Sequence, residues 1–230
     1  MSWKRVAALS GVAAALLLIA SFVIFLAQDP TGDPRIPDLA NVGEIIPYID
    51  AHSSSMKIQV LLNSVAVVLF LWFLGALWSR FHEVARDAAR PRAVASAGGI
   101  VGAGALLAAM VFMATALILP VEGEGLLPLL YALSVISIGL GGAAFTVFFG
   151  AAAKVIIESG GLPKVLGYGA IVAAAAAAVG FVAVFADSGI FNAATGAIGY
   201  WARYAAFVLW IGLAGAALAM QSEAPKGRRR

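Results

Sequence analysis

The chain of 230 residues contains no cysteine and two histidines. Without cysteine it can form no disulfide, thiolate metal site, cysteine nucleophile or thiol redox centre. The histidines, His52 and His82, both lie outside the long apolar runs, so a haem held by two histidines between helices is not expected. Asp50 and His52 together supply two potential metal ligands, too few for a metal site. We therefore predict neither a metal nor a cofactor.

Charge is also scarce: 12% of the residues are charged, whereas 62% are hydrophobic. A soluble domain carries about 25% charged residues, and large exposed apolar surfaces cause aggregation. The chain also lacks the short motifs of zinc proteases, phosphate-binding loops and serine hydrolases. The composition indicates an integral membrane protein, and the sequence contains no recognisable catalytic residue.

What the chain does contain is six apolar runs, each long enough to cross a bilayer. A membrane-spanning helix needs roughly 20 apolar residues, and lipid cannot satisfy the backbone groups of open strands. The predicted fold is therefore all-α, one membrane domain (1–230) that forms a bundle of six transmembrane helices. The predicted segments are spans 6–27, 58–79, 97–119, 128–153, 165–186 and 200–220, an outer loop 28–57 and a basic tail 221–230.

The distribution of lysine and arginine predicts the orientation of the bundle. With the N-terminus inside, three of the 15 basic residues, Arg35, Lys57 and Arg203, fall on the outer side. Acidic residues concentrate there instead: Asp29, Asp33, Asp38, Glu44, Asp50, Glu122, Glu124 and Asp187. Because basic loops stay on the cytoplasmic side of a membrane, we predict a multi-pass protein of a bacterial inner membrane with both termini in the cytoplasm.

The formal net charge of +3 and the pI near 9.4 do not indicate a nucleic-acid-binding protein, because topology accounts for the basic residues. The basic loop 80–92 and the tail residues 226–230 lie next to predicted spans, where anionic lipid head groups attract them. The expected partner of these segments is membrane lipid, and no nucleic-acid partner is expected.

The outer loop 28–57 is the longest loop and has two interpretations. Apolar residues recur at helical spacing between Leu39 and Ile49, which predicts a short interfacial helix that breaks or kinks near Pro47. Ser53–Ser55 would then cap the second span. The segment is either a lid or partner-docking site, or a loop that seals the outer surface, and the second interpretation is favoured.

Polar side chains within the predicted spans are few, and two are candidates for binding. Asn63 lies in the outer third of the second span, and Arg203 lies just inside the outer end of the sixth. A cation in a span is costly and marks a functional site, but Arg203 can also snorkel outward or pair with Asp187. It is either an anchor, which is favoured, or part of a site for an anionic group. The candidate ligand- or partner-binding residues are Arg203, Asn63, Asp50, His52, Glu122, Glu124 and Asp187.

Small residues predict close packing between the helices. Gly98 and Gly102 form a G-x-x-x-G pair in the third span, which permits two helix backbones to touch. The fifth span contains an unbroken alanine run from Ala173 to Ala178. We interpret these positions as the contacts of a compact bundle.

Several short segments resemble a known group of proteins. They are Leu71–Leu77 (LWFLGAL) at the end of the second span, the Arg-rich inner turn, Gly161–Gly167 (GLPKVLG) at the start of the fifth span, and the last span with Trp210. Together with the basic start and the long outer loop, they are similar to the small six-helix membrane proteins of unassigned activity that are common in high-GC actinobacteria. The resemblance covers most of the chain and implies a six-helix fold and a membrane location.

Three functions are compatible with these features. The favoured one is a non-enzymatic accessory protein that binds a membrane-protein partner, a second copy of itself or a lipid, with an amphiphile held between helices under the outer loop. The alternative is a small permease for an apolar or weakly anionic solute, with Arg203, Asn63 and the outer carboxylates at its mouth. A third is a membrane enzyme that acts on lipid, for which outer residues would have to meet at one interface: Asp50, His52, Glu122, Glu124 and Asp187.

Overall fold

A computed structural model describes residues 3–28, 37, 39, 42–85, 87–118, 125–186, 189–192 and 196–221. These residues form six long helices and contain no strand, which confirms the predicted all-α, six-helix fold. The helices are α1 (Trp3–Ala27), α2 (Val42–Val84), α3 (Ala89–Ile118), α4 (Leu126–Ser159), α5 (Lys164–Val182) and α6 (Arg203–Gln221). A 3₁₀ turn, Ala183–Phe185, follows α5, and a π-helical segment, Ala197–Ala202, leads into α6.

Helix α2 is longer than its apolar run. Its 43 residues are continuous through Pro47 and Ser53–Ser55, so a helix break near Pro47 and a serine cap of the second span are wrong, and the alternative of a kink at Pro47 stays a prediction. A proline so near the start of a helix removes one backbone hydrogen bond, in this case to Gly43, which has open space around it. Tertiary packing then keeps the extension helical. The side chains that bury it against α4 are Ile45, Ile49, Met56 and Tyr131.

The helices pack as a closed ring in the order of the chain. Each helix contacts the next one along the sequence, and α6 returns to contact α1. Helix α2 also touches α4 and α6 and so lies nearer the centre of the ring. Lipid provides no hydrophobic drive for helices to associate, so the ring depends on shape complementarity.

Glycines allow the closest of these contacts, as the G-x-x-x-G pair predicts. An ideal Cβ built on Gly98 would lie 2.8 Å from the carbonyl oxygen of Ala144 and from the amide nitrogen of Phe148 on α4. One built on Gly102 would lie 2.7 Å from the ring of Phe145. A real side chain at Gly98 would separate α3 from α4, and one at Gly102 would displace the Phe145 ring.

Several segments that are predicted to face the cytoplasm meet at one end of the bundle, which we call the basic end. Lys4 Nζ lies 2.7 Å from Glu83 Oε1, and Arg80 Nη2 donates to the carbonyl oxygen of Gly161 at 3.1 Å. Helix α4 ends at Gly160, whose φ of 64° is the left-handed conformation that favours glycine at a helix terminus. The start of α1, the end of α2 and the α4–α5 turn therefore share one end, as the charge pattern requires.

The orientation of the basic end can be tested with single cysteines, because the chain has none to remove. Ser54, on the extension of α2, and Asp87, in the α2–α3 turn, are both exposed. If the basic end is cytoplasmic, a membrane-impermeant maleimide labels Ser54→Cys in intact cells and labels Asp87→Cys only after lysis. The reverse pattern would contradict the predicted topology.

Glycine packing predicts a contrast between two alanine substitutions on α3. Gly98→Ala should destabilise the bundle by about 1–3 kcal/mol, because its methyl group would overlap the α4 backbone. Gly104→Ala should be neutral or slightly stabilising, since Gly104 has open space around it and alanine favours helix. Unfolding of both variants in detergent by SDS titration measures the difference. Equal stabilities would show that α3 and α4 are farther apart.

Candidate functional site

A cavity of about 110 Å³ lies within the ring of helices, away from the basic end. Every helix and the π-helical segment contribute to its wall, and most of the lining side chains are apolar. They are Leu18, Asn63, Val67, Leu106, Met110, Ile138, Phe145, Phe149, Ala173, Ala177, Tyr200, Arg203, Tyr204 and Phe207. We call this space the central cavity.

The size of the central cavity limits what it can hold. An engineered apolar cavity of roughly 150 Å³ binds a benzene molecule and excludes water. The central cavity is somewhat smaller than this, so its interior matches a small ring or a short alkyl chain.

An aromatic cluster closes the central cavity toward the basic end. Phe145, Phe149 and Phe207 line the cavity, and Phe149 also contacts the rings of Phe148 and Trp210. The centroids of Phe145 and Phe207 are 4.9 Å apart, and those of Phe149 and Trp210 are 5.2 Å apart, both in edge-to-face geometry, which is favourable for aromatic rings. The full cluster comprises Phe70, Phe73, Phe145, Phe148, Phe149, Phe207 and Trp210. We call this cluster the aromatic floor, because it lies between the cavity and the basic end.

A hydrogen bond from its indole nitrogen holds Trp210 in this cluster. Its side chain is buried, and Nε1 donates to the carbonyl oxygen of Leu166 on α5 at 2.9 Å. A buried indole nitrogen without a partner would be costly, so this bond fixes the ring at the α5–α6 contact.

Arg203 brings a positive charge to the wall of the central cavity. Its Nη1 donates to the carbonyl oxygen of Gly180 on α5 at 3.3 Å, and its Cζ lies 5.9 Å from the centroid of the Tyr200 ring. Within the described residues, no carboxylate forms an ion pair with Arg203. The predicted partner Asp187 lies outside the described residues.

Asn63 and Tyr204 are the other polar groups of interest in this wall. The Tyr204 hydroxyl donates to the carbonyl oxygen of Leu18 and so links α6 to α1. The Oδ1 atom of Asn63 is buried and has no hydrogen-bond partner among the described residues. The cavity therefore carries a cationic donor, two tyrosine side chains and an unused acceptor on walls that are mostly apolar.

The π-helical segment sets the position of Tyr200 and Arg203. The Ile198 amide donates to the Ile190 carbonyl oxygen at 2.9 Å, and an ideal Cβ on Gly199 would lie 2.5 Å from the carbonyl oxygen of Asn192. This segment is therefore packed tightly against residues 189–192. π-Helical turns occur frequently at functional sites.

Of the seven candidate residues, Asn63 and Arg203 both line the central cavity. Asp50 is exposed on the extension of α2, and the Nδ1 atom of His52 donates to the Tyr48 carbonyl oxygen at 2.8 Å. Neither lines the cavity. Three candidates lie outside the described residues: Glu122, Glu124 and Asp187. The described part of the chain contains no group of three or more side chains able to hold a metal ion.

Sequence reasoning missed the aromatic floor and Gly180. The floor has a signal in the chain, since phenylalanine and tryptophan recur three or four residues apart in α2, α4 and α6. The sequence contains no such signal for Gly180, because the need for glycine there depends on which side chain of another helix lies against it.

A second, open groove of about 610 Å³ lies at the basic end, between the α2–α3 turn and α4. Its charged residues are Asp87, Arg90, Lys154 and Glu158, and Lys154 already pairs with Glu158 at 2.5 Å. The mixed signs favour neither an anionic nor a cationic ligand.

Comparison with protein-family models, with curated proteins and with solved structures finds no match to this chain. The resemblance to actinobacterial six-helix proteins remains a prediction. The geometry of the central cavity is therefore the basis for a functional conclusion.

Proposed function

We propose that this membrane protein is a non-enzymatic accessory protein that holds the apolar part of a small amphiphile in the central cavity. The observation that carries the proposal is a cavity of about 110 Å³ walled by all six helices and floored by aromatic rings. Binding sites for small molecules are typically concave and apolar, with few polar groups that fix orientation. Asn63 and Arg203 are the groups suited to this role.

The predicted topology gives the proposed site its place in the membrane. With the basic end in the cytoplasm of a bacterium, the central cavity lies in the outer half of the inner membrane. A ligand would then reach it from the outer leaflet or the outer surface.

A permease for an apolar or weakly anionic solute is the alternative, and the convergence of Asn63 and Arg203 on one cavity is compatible with it. Passage toward the basic end would require the aromatic cluster to open, with loss of several ring contacts such as Phe148–Phe149 at 4.8 Å. The floor thus favours binding over passage. An enzyme that acts on lipid would require Asp50 and His52 to meet Glu122, Glu124 and Asp187 at the outer interface, and the last three lie outside the described residues.

Filling the cavity tests the proposal. Ala177 is buried and lines the cavity, whereas Ala175, on the same helix, is exposed to lipid. A suitable neutral probe is hexanol with a terminal trifluoromethyl group, followed by ¹⁹F NMR in phosphatidylcholine nanodiscs. We expect the wild type to give a bound signal that saturates at one equivalent, Ala175→Leu to keep it, and Ala177→Leu to abolish it.

The smaller change Ala177→Val keeps the test informative if the leucine variant misfolds. It should weaken the bound signal without removing it. Near-native thermal stability of each variant in the same nanodiscs serves as the folding control. A signal of equal size in all variants, or one equal to that of empty nanodiscs, would contradict binding in the cavity.

A further inference from the structure

We propose that Arg203 and Asn63 form a head-group subsite that selects an amphiphile with an anionic head group that also carries a hydrogen-bond donor. This inference rests on the proposed function and names the class of ligand. A short-chain hydroxy acid is the simplest molecule with this chemistry.

Arg203 has N–H donors that no acceptor among the described residues uses. A guanidinium has five N–H donors in a planar fork that matches a carboxylate or phosphate. Within the described residues, the carbonyl oxygen of Gly180 is the one hydrogen-bond acceptor of Arg203. A cation at membrane depth is costly unless it is paired, so the remaining donors favour an anionic ligand.

Helix α5 leaves room for the Arg203 side chain at Gly180. An ideal Cβ on Gly180 would lie 2.3 Å from Arg203 Cδ and 2.9 Å from both Nε and Nη1. Any residue other than glycine at position 180 would displace the guanidinium. The Tyr200 ring lies on another side, at 5.9 Å from Cζ, where a cation–π contact stabilises the charge.

Asn63 supplies a hydrogen-bond acceptor, its Oδ1 atom, to the same cavity. Its buried Oδ1 lacks a partner among the described residues and belongs to a side chain that lines the same cavity. A buried acceptor without a donor costs about 1–3 kcal/mol. A ligand hydroxyl or N–H group would satisfy it, and an ordinary carboxylate would not.

These groups define a polar site at the edge of an apolar cavity. The ligand's anionic oxygen binds Arg203, its donor binds Asn63, and its short apolar part enters the space above Phe145, Phe149 and Phe207. Positively charged or purely apolar ligands leave at least one of the two polar groups without a partner.

The experiment compares hexanoate with hexanol, each with a terminal trifluoromethyl group, by ¹⁹F NMR in phosphatidylcholine nanodiscs. We expect the wild type to bind hexanoate about five-fold more tightly than hexanol, because the charge-assisted hydrogen bond to Arg203 outweighs the neutral bond that the hexanol hydroxyl donates to Asn63. Arg203→Gln should remove this preference, because the positive charge that distinguishes the two probes is lost. The matched control is Lys57→Gln, which removes an exposed cation from α2 and should keep the preference.

Gly180→Ala tests the position of the Arg203 guanidinium without changing its charge. It should lower the preference for hexanoate, because the methyl group displaces Arg203. Gly169→Ala is its control on the same helix, since a Cβ there would make an ordinary contact of 3.6 Å with Trp210. It should behave as the wild type.

Asn63→Leu tests the acceptor with the trifluoromethyl form of 2-hydroxyhexanoate. The wild type should bind this hydroxy acid more tightly than hexanoate, and the leucine variant should bind the two equally. Equal binding of all three probes by the wild type would overturn the inference while leaving the apolar cavity as a binding site. Failure of hexanol itself to bind would instead contradict the proposed function.

Discussion

Two glycines at the crossing of α1 and α6 hold the ring of helices closed. An ideal Cβ on Gly215 would lie 2.9 Å from the carbonyl oxygen of Ala8, and one on Gly11 would lie 3.1 Å from that of Ile211. In lipid, where apolar surfaces gain little by leaving their solvent, such close backbone contact is a main source of association. Separation of α1 from α6 would also remove one wall of the central cavity and the hydrogen bond from Tyr204 to Leu18.

The closed ring creates a mostly apolar interior, and Arg203 brings a costly positive charge to it. Among the described residues, the carbonyl oxygen of Gly180 and the ring of Tyr200 reduce that cost. Neither carries a negative charge, so within this part of the chain the compensation is incomplete. The aromatic floor below prevents the site from extending toward the basic end. Together these features favour a site that receives a small charged amphiphile and keeps it on one side of the membrane.

The number and type of helices could be predicted from sequence, because the length of an apolar run reports directly on the thickness of a bilayer. The same reasoning failed for α2, whose extension through Pro47 depends on packing against Tyr131, which lies far away in the chain. Arg203 and Asn63 could be selected because a polar side chain is conspicuous in an apolar run. Their common cavity, and the need for glycine at position 180, could not be predicted, since both follow from how α2, α5 and α6 are placed in space.

The most direct test of this account is a disulfide across the closure of the ring. An ideal Cβ on Gly212 of α6 would lie 3.2 Å from Cβ of Ala15 on α1, slightly less than the roughly 3.5–4.5 Å between the Cβ atoms of a disulfide, so a small shift of the helices would allow the bond. In the cysteine-free chain, copper-phenanthroline oxidation should cross-link Ala15→Cys with Gly212→Cys in membranes, and mass spectrometry should find no free thiol. Ala15→Cys with Gly104→Cys, which faces open space on α3, should stay reduced. Free thiols in the first pair after oxidation would show that α1 and α6 do not meet and that the ring is open.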